Sequence, residues 1–306
     1  MKKNNSVEIK EFVSRPLFDE KILLNKDPAW PKISIVTPSF NQAQFLERTI
    51  LSVLNQNYPN LEYIIIDGGS ADGSVEIIKK YEKYLAYWVS EPDEGQGNAI
   101  NKGFHKSTGE ILAWLCSDDI YLPESLTAIA PLFTKNRADL VYGNTYLINE
   151  KDKIFGEHRN VSYSKHFSKA AVINRIFSIS QPSMFWRREL FIKVGGVNEK
   201  LCNVLDNDLI IKFLLADSKV IYVRGFISCE RLHPGRKTER LKHLSQKELD
   251  IVGKLYNGMN NIDFSAKLLN YSLKFYLFIE QGDFFWLLNT AISRAISKRR
   301  FRQSSS

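Results

Sequence analysis

Cysteine is scarce in this chain. Only Cys116, Cys202 and Cys229 occur among 306 residues, an odd number with no CxxC spacing, so neither a disulfide framework nor a zinc ribbon is indicated. Long apolar runs are missing too: no window reaches about 18 uninterrupted apolar residues, which predicts no membrane span. The opening MKKNNSVEIKEF lacks the apolar core of a secretory signal. With so little cysteine, this predicts a reducing, cytoplasmic setting. No GxGxxG follows the first apolar strand, which argues against a nicotinamide-dependent dehydrogenase, and no internal repeat is evident.

What is present is the composition of a globular protein, 44% hydrophobic and 25% charged, with length for one large domain or two ordinary ones. Base exceeds acid, 42 Lys and Arg against 34 Asp and Glu, for a net charge of +8 and a pI near 9.2. Such a charge attracts anions, among them nucleic acid, phospholipid surfaces and nucleotide phosphates. Much of the excess is local, in a closing run where Arg294, Lys298, Arg299, Arg300 and Arg302 have no acid among them. No aromatic and basic RNA motif accompanies it, which argues against a nucleic-acid partner.

Residues 1–31 end in Asp27-Pro28-Ala29-Trp30-Pro31, where two prolines forbid regular structure, and predict an extension wrapped over the domain. ISIVT, from Ile33 to Thr37, predicts the first strand, ended by Pro38. Asn41, with Gln44 three residues on, predicts a capped helix with Phe45, Leu46, Ile50, Val53 and Leu54 at helical spacing. The unit then repeats: a strand over 61–66, a polar loop from Asp67 to Ser74, and a helix over 75–84. A strand over 86–89, a helix near 96–105, a central strand, a helix around 124–133 and a strand around 140–143 follow. Alternation of this length predicts right-handed crossovers and a mainly parallel sheet. From 144 to 179 periodicity weakens, which predicts loops and short strands covering one side of a cleft. Beyond lie a strand at 181–186, a short helix at 188–194, a break at Gly195-Gly196, a helix over 206–216 and a strand at 220–223. From about Thr238 the pattern reads helical to the end.

The stretch that organises the rest is ILAWLCSDD, Ile111 to Asp119. Acid at the end of a buried strand is costly without a partner. In an open α/β sheet the carboxyl ends of the strands form the ligand crevice, where a divalent cation or a ribose would satisfy Asp118 and Asp119. The plainer alternative has the pair turning the chain and capping the helix that starts near Pro123.

Six segments occur in a recognisable order and spacing: PSFNQAQFLERTILSVLNQNYPNLEYIIIDGGSADGSVEII, SEPDEGQGNAINKGF, GEILAWLCSDD, QPSMFWRRELFIKVGG, LDNDL and RLHPG. Over about residues 32 to 236 the chain resembles the family 2 glycosyltransferases. The resemblance implies an α/β GT-A fold, a mainly parallel nucleotide-binding sheet flanked by helices, joined to an acceptor-binding half and here to a helical C-terminal extension. It divides the chain into an N-terminal extension (1–31), a GT-A domain (32–237) and a helical segment with a basic tail (238–306). It implies inverting transfer of a sugar from a nucleotide-diphosphate sugar, a UDP-sugar before others, to a saccharide or lipid-linked saccharide in cell-surface polysaccharide synthesis. Mn2+ or Mg2+ would be the cofactor. The alternative on the same fold is a protein that holds a sugar nucleotide without turnover.

The same resemblance assigns roles. Pro38 to Phe40 match a loop packing against the base and Asp67 a carboxylate that hydrogen-bonds it, while Gly68, Gly69 and Gly73 serve equally well as turn residues. Asp118 matches the ribose ligand, Asp119 the metal ligand, and His233 a histidine that closes over the diphosphate and ligates the metal. Lys102 is a candidate donor contact, or else a solvated helix lysine. Asp206 matches the general base that deprotonates the acceptor hydroxyl, with Asp208 the other candidate and a plain helix cap the bland reading. Two positions depart from the family pattern: Asn98, where relatives commonly have Asp, and Arg236, where Ser or Thr is common. Tyr271, Phe275, Tyr276, Phe278, Phe284, Phe285 and Trp286 beside the basic run suit an interfacial helix on an anionic membrane, and suit as well a helix packed on the catalytic domain.

Overall fold

A computed structural model describes residues 2–164, 177–256, 264–288 and 290. The chain opens with helices α1 (Lys2–Ser14) and α2 (Glu20–Leu24), where the sequence predicts only an irregular wrap. Then come β1 (Ile33–Ser39), α3 (Ala43–Leu54), β2 (Leu61–Asp67), α4 (Ser74–Tyr81), β3 (Tyr87–Ser90), α5 (Gln96–Lys106) and β4 (Ile111–Trp114). The second half holds β5 (Ile120–Tyr121), α6 (Ser125–Thr134), β6 (Leu140–Ile148), β7 (Ile154–His158) and β8 (Met184–Arg187). It continues through α7 (Arg188–Lys193), α8 (Leu205–Leu215), β9 (Val220–Arg231), α9 (Lys237–Arg240), α10 (Lys242–Leu255) and α11 (Phe264–Glu280). The basic run from Arg294 to Arg302 lies outside the described residues.

Nine strands form one sheet in the order β3-β2-β1-β4-β8-β6-β9-β5, with β7 on the free part of β6. The first four run parallel, as the βα alternation predicts, and every antiparallel pair includes a strand of the second half. Every residue of β1, β2 and β4 is buried, which is how a parallel strand with helices on both faces reads in sequence. Alternate residues divide between two cores. Ile33, Ile35, Tyr63, Ile65, Ile111 and Ala113 meet α3, α4 and α6; Val36, Ile64, Ile66, Leu112 and Trp114 meet α5, α7, α8 and the C-terminal helices α10 and α11. Helix α5 sits unusually close because residue 103 is glycine; a methyl there would overlap the Val36 side chain.

Two local features differ from the sequence reading in ways that shape the site. Pro38 does not end β1 but lies within it, paired with Ile66. The β1–β4 register stops at Val36 and Trp114, with the Leu115 N–H donating to the Val36 carbonyl. In a parallel strand alternate residues face one neighbour, so the donor that Pro38 lacks would have pointed at β4 beyond the end of that ladder. Nor does Asn41 cap α3. Gln42 is at the cap position without a side-chain bond. Asn41 adopts a left-handed conformation (φ 52°) with its amide oxygen on the Ala71 N–H, and Asp72 reaches across to accept the Ala43 N–H at 2.9 Å. The cap comes from the next loop rather than the preceding residue.

β9 continues to Arg231, well past the predicted Val223, held by its parallel pairing with β6. Its far end, with β5 and α1, encloses a small third core of Ile9, Phe12, Val13, Ile120, Ile148 and Cys229. No helix among the described residues is long and apolar enough to cross a membrane.

Candidate active site

Where β4 ends, Cys116 to Asp119 turn sharply, with the Asp119 N–H on the Cys116 carbonyl at 3.0 Å. Thr49 of α3 pins the turn, its hydroxyl donating to the carbonyls of Ser117 (2.9 Å) and Asp119 (2.7 Å). Arg231, fully buried at the end of β9, holds it from the other side. Its backbone N–H donates to the Asp119 carboxylate (2.9 Å) and its Nε to the Asp118 carbonyl (2.8 Å), while its guanidinium pairs with Asp152 at 2.6 Å. Neither aspartate caps α6, which starts at Ser125 with no side-chain cap; this removes the helix-capping half of the plainer reading, while the pair does lie in a turn.

Burial, and then the charges of Asp118 and Glu230, push the Asp119 carboxyl well above its usual range, against the backbone bond from Arg231. A divalent cation would relieve that. The Cys116 thiol and both carboxylates have ligand atoms within 4.8 Å of one another. Burial also drives the Cys116 thiol well up, with Asp119 and Asp118 adding to it, so it stays protonated and ligates poorly. The donors that remain are hard carboxylate oxygens, which fit Mn2+ or Mg2+. His233 places Nε2 3.1 Å from Asp118 Oδ2 and packs its ring on Phe45. It therefore meets Asp118, not Asp119, and stands outside that cluster.

Cys116, Ser117, Asp118 and Asp119, though not His233, border a cleft of about 810 Å3 that also takes in Pro38, Phe40, Asp93, Asp206, Glu230, Arg236, Lys237 and Arg240. Asp118, Asp119 and Asp206, assigned from separate motifs, thus share one cavity. Asp206 stands in the first turn of α8. Asp208, the other base candidate, is fully buried. It accepts the Tyr256 hydroxyl at 2.7 Å and lies 3.0 Å from the Lys212 ammonium, near enough for charge pairing though not aligned as a hydrogen bond. It is in no position to reach a substrate. Phe40, on the cleft lining, is 56% exposed.

Two expected donor contacts are placed elsewhere. Asp67 is fully buried, and its carboxylate already accepts from the Ser70 N–H (2.8 Å), the Gly69 N–H (3.2 Å), the Ser70 hydroxyl (2.6 Å) and the Ser90 hydroxyl (2.7 Å). It shapes the loop and does not face the cleft. Asp93 does: a side chain at Gly68 would fall 2.8 Å from its Oδ2, so the Asp93 carboxylate fills the space that glycine leaves beside Asp67. Gly69 and Gly73 have positive φ and are turn residues. Lys102 is not among the cleft-lining residues and pairs with Glu91 at 2.7 Å. Asn98 turns away as well, its amide on Glu199.

Arg236 lines the cleft, held at 2.5 Å by Glu230. Lys237 beside it donates to the Gln96 side chain, and burial lowers its ammonium despite the pull of Cys116 and Asp206. Sequence reasoning passed over Asp93, Glu230 and Lys237. A glycine directly after Asp67, facing an acid in SEPDEG, was the available signal for the first; the other two have none short of the fold.

The comparisons with known proteins agree with the geometry. A family model described as glycosyl transferase family 2 matches residues 34–195, over half the chain. An uncharacterized glycosyltransferase of Mycobacterium tuberculosis is 41% identical over 193 residues, 60% of this chain and 70% of that protein. One from Rickettsia typhi is 29% identical over 212 residues, 68% of this chain and 66% of its own length, and one from Nostoc is 34% identical over 204 residues, 64% and 60%. The chain thus spans about three fifths to two thirds of those two relatives. Among solved structures, S. aureus TarS 1-349 in complex with UDP-GlcNAc superposes with a TM-score of 0.63 at 17% identity, covering 78% of this chain and 70% of that one. Mannosyltransferase PcManGT from Pyrobaculum calidifontis, in complex with GDP-Man and Mn2+, gives 0.55 at 15% identity, covering 95% and 87%. At such identities the likeness is one of fold, and it is the GT-A fold that the motifs imply. The match of the family model and the identity to the mycobacterial protein place this chain in glycosyl transferase family 2.

Proposed function

We propose that the protein transfers a sugar, with inversion at the anomeric carbon, from a nucleotide-diphosphate sugar to a hydroxyl of a saccharide or lipid-linked saccharide, with Mn2+ or Mg2+ as cofactor. The observation that carries this is the shared cleft, lined together by Asp118, Asp119, Asp206, Arg236, Lys237 and Arg240. Asp206 takes the proton of the acceptor hydroxyl as its oxygen bonds to the anomeric carbon. The bond from that carbon to the diphosphate breaks on the opposite face, and the electron pair leaves with the phosphate. Arg236 and Lys237 stabilise the charge that develops there. Asp119 and Asp118, with His233 beside them, would hold the cation, which when bound neutralises the diphosphate.

For the base of the donor we assign Asp93 in place of Asp67. A carboxylate accepts from an imide N–H, as in uracil or guanine, and repels the ring acceptor that cytosine presents at that position. The UDP-GlcNAc and GDP-Man bound by TarS and PcManGT are of that kind, and we take a UDP-sugar as the donor. Asp206→Asn tests the whole reading. It should lower transfer by about 10² to 10⁴ while calorimetric affinity for UDP with Mn2+ stays as in the native protein. Unchanged transfer would remove the base, and a carrier without turnover would take its place.

The acceptor follows from the outer surface. Leu268, Leu269, Phe275, Tyr276 and Ile279 form one exposed apolar face of α11, continued by Phe284, Phe285 and Leu288, and residues 284–306 contain no acid. Such a face beside a basic segment suits an anionic lipid surface. It supports a lipid-linked acceptor of cell-surface polysaccharide synthesis at the cytoplasmic face of the membrane. Co-sedimentation with phosphatidylglycerol vesicles, lost on deletion beyond residue 265, is the expected result; no binding at low salt would refute it.

A further inference from the structure

Glu248 lies in α10, beyond the part of the chain that the family model matches, and is not among the residues lining the cleft. It is nonetheless buried, and its carboxylate is wholly engaged with the backbone just ahead of Asp206. Oε1 accepts the Cys202 N–H at 2.8 Å, and Oε2 accepts those of Asn203 at 2.7 Å and Val204 at 3.1 Å. These N–H groups lead directly into α8, whose own cap residue, Val204, makes no side-chain capping bond. A carboxylate at that end of a helix satisfies orphan donors and lies favourably in the helix dipole. Two further bonds tie the same turn to the same helix: the Asn203 amide donates to the Ser245 hydroxyl, and the Tyr256 hydroxyl, just past α10, donates to Asp208.

We propose that Glu248 is a positioning residue for Asp206, fixing the first turn of α8 through the three backbone N–H groups of residues 202–204. The inference rests on Asp206 being the general base. Helix α10 then belongs to the catalytic machinery although it touches no substrate, and the base is aimed from outside the nucleotide-binding half. Asn203 and Leu241, which border the cleft on either side of this clamp, make the acceptor wall a product of the same contacts.

The test uses the full chain with Mn2+, release of nucleoside diphosphate from UDP-GlcNAc or GDP-Man with water as acceptor, and calorimetric binding of UDP. Glu248→Gln swaps one accepting oxygen for an amide that faces a backbone N–H. A misplacement on the order of 1 Å costs about 10²-fold in rate, so kcat should fall by about that factor with UDP affinity held within about twofold. In the Asp206→Asn background the same change should have no further effect, since residues that act as one unit are not additive. A native kcat in Glu248→Gln, a parallel loss of UDP affinity, or a full further loss in the double variant would each overturn the proposal. Loss in Asp206→Asn with none in Glu248→Gln rejects the positioning role alone, whereas a native rate in Asp206→Asn rejects the base and the positioning role together. Ser245→Ala, which releases only the Asn203 side chain, is the milder second variant and should lower kcat in the same direction.

Discussion

The two walls of the cleft are built differently. On the Asp118–Asp119 side the bracing comes largely from the parallel half: Thr49 pins the Ser117–Asp119 turn, and Ser70 and Ser90 hold Asp67, which shapes the loop beside the cleft. On the other wall Asp206 stands at the start of a helix whose entry is tied down by α10, more than 40 positions further along the chain. The matched family model covers the first wall and stops before the second. The contacts that set the two walls scarcely overlap.

Arg231 is the exception, since it braces the Asp118–Asp119 turn from β9, outside the parallel half, and removing it is the hardest way to break the contrast. Arg231→Met takes the buried guanidinium from Asp152, leaving it only Arg48, and from the Asp118 carbonyl, while the backbone N–H to Asp119 stays; by the usual cost of breaking a buried ion pair, urea unfolding should show a loss of about 3–5 kcal/mol. Asp119→Asn strikes the donor wall alone. It should abolish the additional thermal stabilisation that Mn2+ gives to the UDP complex and cut transfer by about 10² to 10³, the scale for losing one electrostatic element of a site, with little change in stability without ligand. Asp93→Asn is narrower still: loss of one charge-assisted hydrogen bond, worth about 1.5–3 kcal/mol, should weaken UDP binding by roughly ten- to hundredfold in calorimetry. Phe275→Ser sharpens the comparison from the far side. Phe275 is half exposed, so unfolding stability should stay within about 0.5 kcal/mol, while binding to anionic vesicles falls.

Much of the donor wall was legible because its signals are local. β1, β2 and β4 are short apolar runs punctuated by Pro38, Asp67 and Asp118, and the alternation with helices fixes the sheet. For Asp67 the sequence shows an acid at a strand tip but not the two serines, one of them 23 residues away, whose hydroxyls its carboxylate accepts. The strand predicted at 220–223 stops short because Arg224 and Gly225 interrupt the apolar run; pairing with β6 and the buried Arg231 carry β9 on to residue 231. Helix α1 did carry a signal, Ile9, Phe12 and Val13 at helical spacing, hidden in a polar stretch. Glu248 had none, because a glutamate in an amphipathic helix looks like any solvated one.

The third small core bears on how this protein can be handled at the bench. Ile9 and Val13 cover Ile120 and Cys229 directly behind the turn that presents Asp118 and Asp119, and the Asn55 amide grips the Phe12 carbonyl. A shortened gene starting at residue 32, the natural choice for someone trimming to the recognisable domain, would open a wet notch beneath the corner that holds Asp118 and Asp119. Poor yield or weak metal response from such a truncation would report the missing helix, not a faulty enzyme.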